Sequence, residues 1–159
     1  MRTRSVRRHE SVLDCLRIAT REWAGDDVCE IYSDRPAFLW LHGSTMVEAS
    51  ANRDGSVLLR AFLVLHPRPS GNLEAQLRTL STTLPVGRLV LDEDGDIALI
   101  HRVPPRAGRD RLLAAIRDVS CHADLLDDEL CARHGGIRSV DKIQEHVRHA
   151  LELERIPVA

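Results

Sequence analysis

Residues 72–103 run NLEAQLRTLSTTLPVGRLVLDEDGDIALIHRV. Leu73, Leu77, Leu80 and Leu84 recur at spacings of four, three and four, which puts them on one face of a helix over 72–84. Pro85 closes that helix, because proline has no N–H to continue it. Gly87–Leu91 and Ile97–Val103 are then two apolar strands about Asp92-Glu93-Asp94-Gly95-Asp96, where the glycine supplies the positive φ of a hairpin turn. A hairpin implies antiparallel pairing, and a helix beside it implies a sheet with helices gathered on one side.

The same grammar extends upstream. Val12, Leu16, Ala19 and Trp23 mark a helix over 10–23, which Gly25-Asp26-Asp27 ends. Strand-like runs follow at Val28–Ser33, Ala37–His42 and Thr45–Ala51, broken by Asp34-Arg35-Pro36 and by Gly43. Asn52-Arg53-Asp54-Gly55 reads as a tight turn into the strongest strand, Ser56–Leu65, and prolines 67 and 69 stop it. Downstream, Leu112, Ile116, Val119, Ala123, Leu126 and Leu130 define a long helix that Gly135-Gly136 terminates. Ser139 is placed to cap a last helix carrying Val140, Ile143, Val147 and Leu151.

The fold class is therefore α+β. Its order is helix, three or four strands, helix, two-strand hairpin and long helix, with an antiparallel sheet, helices mainly on one face and an extra C-terminal helix. The expected divisions are a flexible basic arm at 1–9, a single domain at 10–136 and a helical extension at 137–159. The chain has 159 residues, enough to fold around one core without disulfides or metal.

Composition removes several classes of function. All but Lys142 of the 22 basic residues are arginine, yet the formal net charge is −2, so no global field draws the chain to polyanions. Five aromatics (Trp23, Tyr32, Phe38, Trp40, Phe62) are too few for a base-stacking platform. No stretch has the ~18 apolar residues of a membrane span, and the basic start is not followed by the apolar core of a signal peptide. Cytoplasmic localisation is expected, with no nucleic-acid or membrane partner. Cys15, Cys29, Cys121 and Cys131 form no CxxC pair and read as reduced, mostly buried thiols.

Motifs for chemistry are absent. An EF-hand loop starting at Asp92 would need glycine at its sixth position and glutamate at its twelfth, where the chain has Ile97 and Val103. Cys121-His122, Cys131 and His134 invite a zinc site. On one helix, however, Cys121 and Cys131 stand about 15 Å apart by helical rise, too far for ligands of one ion at ~2.0–2.3 Å. Neither a G-x-S-x-G elbow nor a phosphate loop occurs. The expectation is a non-enzyme with no cofactor and no catalytic, cofactor-binding or metal residues.

The helix, the Leu84-Pro85-Val86-Gly87-Arg88 joint, the acidic hairpin and the following helix with Asp127-Asp128-Glu129-Leu130 and Gly135-Gly136 resemble the YbjN-like proteins, whose fold is related to type III secretion chaperones. The resemblance covers about 65 residues, and the segment after Gly136 departs from it. It implies a non-enzymatic module: a homodimer that holds an extended segment of a client protein, or a sensory-transduction regulator. It carries over no contact residues, because the shared motif is structural.

The residues add one independent hint. Ser56–Leu65 is apolar at both parities, with Val57, Leu59, Leu63 and Leu65 on one face and Leu58, Phe62 and Val64 on the other. Either the strand is covered on both faces by its own chain, or the second face meets a partner or another copy. Leu58, Phe62 and Val64, with Trp40 as an aromatic anchor, are the candidate partner or dimer surface. The expected partners are an unidentified client protein or peptide and a second copy. The alternative from another class is a regulator that senses a metal or redox state through Cys and His residues.

Overall fold

A computed structural model describes residues 2–32 and 34–154, with side chains for 12–32, 34–149 and 152. The elements are α1 (Arg2–Ala24), β1 (Cys29–Ile31), β2 (Ala37–His42), β3 (Thr45–Ala51), β4 (Val57–Val64), α2 (Leu73–Ser81), β5 (Arg88–Leu91), β6 (Ile97–Val103), α3 (Arg109–His134) and α4 (Ser139–Glu154). A single turn of 3-10 helix, Gly25–Asp27, follows α1. The first helix thus begins at Arg2, while the side chains of the expected arm, 1–9, lie outside the described residues.

Six strands make one sheet in the order β1-β2-β3-β4-β6-β5, with every pairing antiparallel. The α+β class is what the turn chemistry of Asp54-Gly55 and Asp94-Gly95 dictates, since both pairs sit in tight hairpin connections. Where helix 72–84 was expected, α2 stops at Ser81. Thr82, Thr83 and Leu84 donate their N–H groups to Thr79, Leu80 and Ser81 carbonyls, tightening the last turn before Pro85.

Residues directly opposite in a ladder share a face, so the register sorts the sheet. Phe38, Trp40, Ala49, Val47, Leu59, Ala61, Leu99 and Leu89 align across it and are all buried. Against this inner face lie α1, with Leu16 and Ala19 fully buried, and α3, with Leu112, Ile116, Val119, Ala123 and Leu130. α2 flanks the β5 edge, where the Ser81 hydroxyl accepts the Leu89 N–H at 2.8 Å.

The chain after α3 is tied to the end of the sheet. Leu65 and Ile137 exchange backbone hydrogen bonds of 2.8 and 2.9 Å. Gly136 makes that approach possible: its φ is +86°, and a Cβ there would collide with the Leu65 carbonyl and lie 2.7 Å from Val64 Cγ1. Ser139 was expected to cap α4, but its hydroxyl donates instead to the Phe62 carbonyl at 2.7 Å, fixing the helix start to β4.

Candidate protein-binding surface

The opposite face of the sheet, called the outer face below, carries Ile31, Leu39, Leu41, Met46, Leu58, Phe62 and Ile100, by the same register that places their ladder neighbours inside. Ile31 and Leu41 are 43% and 41% exposed, and the rest of that set is half-buried. Among the described residues, α1 and α3 pack on the inner face and α2 along β5, while α4 touches β3 and β4, its start tied to Ser44 and Phe62. Polar residues interrupt them at Glu48, Arg60 and Arg102. The Arg60 guanidinium lies 5.9 Å from the centre of the Phe62 ring, and its Nε is buried without a hydrogen-bond partner.

Of the four residues proposed from sequence, Leu58 and Phe62 stand on this outer face, half-buried. Val64 and Trp40 do not. A bulge between Phe62 and Val64 shifts the β4 register, so Val64 pairs with Ile97 and turns into the core, 0% exposed. An inserted residue reverses the two-residue alternation, which is why parity counted along the sequence put Val64 on the wrong side. Trp40 is 2% exposed and its indole N–H donates to Ser120 Oγ of α3 at 3.3 Å, so it anchors α3 to the sheet rather than a partner. Leu39, Leu41, Met46 and Ile100 escaped the sequence reading. Leu39 and Leu41 alternate with Phe38 and Trp40, and that alternation was the available signal.

The two edges of the sheet differ. The β5 edge is taken by α2, whereas no strand or helix lies beyond β1 among the described residues. β1 is held from the inner side: Glu30 accepts from Arg17 Nε at 2.9 Å, from the Tyr32 hydroxyl, and faces Arg21 at 3.6 Å. The Tyr32 hydrogen bond, and then Arg17, keep the Glu30 carboxyl below its ordinary range despite partial burial. On the outer side of this edge, Cys29 and Ile31 are exposed, and Tyr32 just beyond is 80% exposed.

At the far end of the sheet the β2–β3 turn is clamped to α3. Asp124 Oδ1 accepts the Ser44 N–H at 2.8 Å, and fully buried Asp127 accepts from the Ser44 hydroxyl and from Thr45 Oγ1 at 3.0 Å. Gly43 at φ +58° is required there, because a Cβ would overlap the Asp124 carboxylate.

The thiols are less buried than expected. Cys29 is exposed and Cys15, Cys121 and Cys131 are half-buried, all unpaired, because they line helix flanks and an edge strand instead of the central core. Burial pushes the Cys131 thiol up to about 11, and its Sγ lies 3.9 Å from the Leu63 carbonyl. Among the described residues no cluster of three or more His, Cys, Asp or Glu has the geometry of a metal site. None of their helices is long and apolar enough to cross a membrane.

No protein-family model matches this chain, and no curated protein matches its sequence. Among solved structures, the chain is similar to one in the crystal structure of the ExsC–ExsE complex, at 14% identity and a TM-score of 0.51, over 76% of this chain and 93% of that one. What the two share is the α+β fold.

Proposed function

We propose that this protein is a non-enzymatic, chaperone-like or adaptor-like module that binds an extended segment of a client protein on the outer face of its sheet. The observation that carries the proposal is the apolar outer face, Leu39, Leu41, Leu58, Phe62 and Ile100, running out to an open edge strand at β1. An extended segment added beside β1 would take up its free backbone groups, and alternate side chains would continue the apolar row begun by Cys29 and Ile31. Leu41 and Ile31 would then be the contacts, with Leu58 and Phe62 behind them. The fold is shared with a chain crystallised in a two-protein complex, and the sequence resembles secretion-chaperone-related YbjN-like proteins; both support a binding role. The homodimer that the resemblance implies is part of this proposal, and so is residence in the cytoplasm.

The test is a tagged pull-down with mass spectrometry from the native cells, comparing wild type with Leu41→Asp and Phe62→Asp. The expected result is a near-stoichiometric client retained by wild type and lost by both variants, which keep their circular dichroism spectra. Light scattering on the same samples gives the copy number. A client equally retained by the folded variants overturns the outer-face reading. So does a Phe62→Asp chain that cannot fold, since Phe62 would then belong to the chain's own core.

A further inference from the structure

A groove of about 960 Å³ lies elsewhere, between α2, the loop 66–72 and the C-terminal end of α3. Its lining includes Arg68, Arg133 and His134 at one end and Ala75, Gln76 and Thr79 along α2, and no acidic side chain. In a chain of net charge −2, that makes it a local island of positive potential.

The cationic groups are under-used by the fold. Arg68 has no carboxylate partner among the described residues; its Nη2 makes only a 3.4 Å contact with the Arg133 carbonyl. Arg133 is paired with Glu129 at 2.6 Å, but both side chains are more than half exposed, so the pair exchanges at little cost. Burial first, then Arg133 and Arg68, hold the His134 ring below its ordinary range, as a site short of negative charge should.

We propose that this groove takes an acidic segment of a partner polypeptide, with its carboxylates at the Arg68–Arg133–His134 end. Arginine forks suit carboxylates, while Ala75 and Thr79 leave room for a backbone to approach α2 and Gln76 offers it an amide. The volume is at the top of the ~300–1,000 Å³ range of small-molecule sites, which favours a chain segment over a lone anion. A nucleic acid fits less well, because no aromatic side chain lines the groove for base stacking. The groove shares no residue with the outer sheet face, so the two surfaces fail or stand separately.

Fluorescence anisotropy on the full-length protein tests this with a labelled Glu/Asp-rich peptide and its Gln/Asn counterpart of equal length. The acidic peptide should bind about tenfold or more tightly than the amide one, and the preference should vanish in Arg68→Gln and in Thr79→Glu. Thr79 is exposed on α2 and glutamate is a good helix former, so this variant carries the test if Arg68→Gln disturbs the end of α3. Arg102→Gln, away from the groove, should bind the peptide as wild type does. Equal or absent binding of the two peptides overturns the proposal, as does a preference that survives Thr79→Glu. Displacement of the acidic peptide by a lower concentration of single-stranded oligonucleotide overturns it in favour of a nucleic-acid groove.

Discussion

Leu59 and Leu58 are neighbours on β4, but Leu59 is fully buried beneath α1 and α3 while Leu58 is half-buried on the opposite face of the sheet. The inner face is closed: apolar residues from every strand but the short β1 meet aliphatic residues from α1 and α3. The outer face is nearly as apolar, yet its leucines add little to that core. The two faces teach that an apolar strand records how many surfaces leave water, and not whether the same chain covers both. Surplus apolar area that folding does not use is what a binding surface looks like from inside one molecule.

The sharpest way to break this comparison is to truncate both leucines. Leu59→Ala should cost about 4 kcal/mol, since it opens a cavity in a sealed core. Leu58→Ala should cost less, about 1 kcal/mol, because the site is only partly buried and opens no sealed cavity. Urea denaturation of the two variants decides it. Equal losses would mean that the outer face is as much a part of the fold as the inner one.

A smaller effect is expected at the clamp that joins the faces' common end to α3. Asp127→Ala should cost about 3 kcal/mol, because it strands the buried Thr45 hydroxyl and takes away one of the two acceptors of the Ser44 hydroxyl. Asp127→Asn should recover most of this, as its carbonyl still accepts one of them. Thermal unfolding of both variants checks the order, and an Asn variant as weak as alanine would show that charge, not acceptance, holds the turn.

How far such distinctions were legible in the sequence depends on which physics set them. Strands β2, β3 and β6 were readable to the residue, because Gly43, the Asp-Gly turns and the prolines punctuate them. The long α3 and its glycine stop were readable from a leucine stripe. Val64 was not, since a bulge leaves no composition mark and yet inverts every side chain beyond it. Trp40 was not either: its partner Ser120 lies 80 residues away, and an isolated tryptophan looks the same as anchor or as core. The groove at Arg68 and Arg133 was equally invisible, because loop and helix end meet only in three dimensions.

The gentlest probe acts where the two faces meet, at β1. Its inner side is fastened by Glu30, and its outer side offers Cys29 and Ile31 to solvent. The Glu30 carboxyl sits below its ordinary range in the folded chain, so the charged form is the one the fold favours. The stability it contributes is complete above the unfolded value of about 4.3 and is lost as pH falls through the lower folded one. Arg17 is 35% exposed, so solvent screens the pair and the effect stays local. Hydrogen exchange, corrected for intrinsic rates, should therefore show faster opening of 29–32 in Glu30→Gln than in wild type at pH 7. The difference should close as pH falls through the lowered folded value, where wild-type Glu30 becomes neutral as well. If the proposed client adds a strand beside β1, its affinity should weaken in the same variant, because an edge that frays is a poorer template. An opening difference that does not shrink at all as pH is lowered would mean that β1 is held by packing alone, and the ion pair would drop out of the account of the edge.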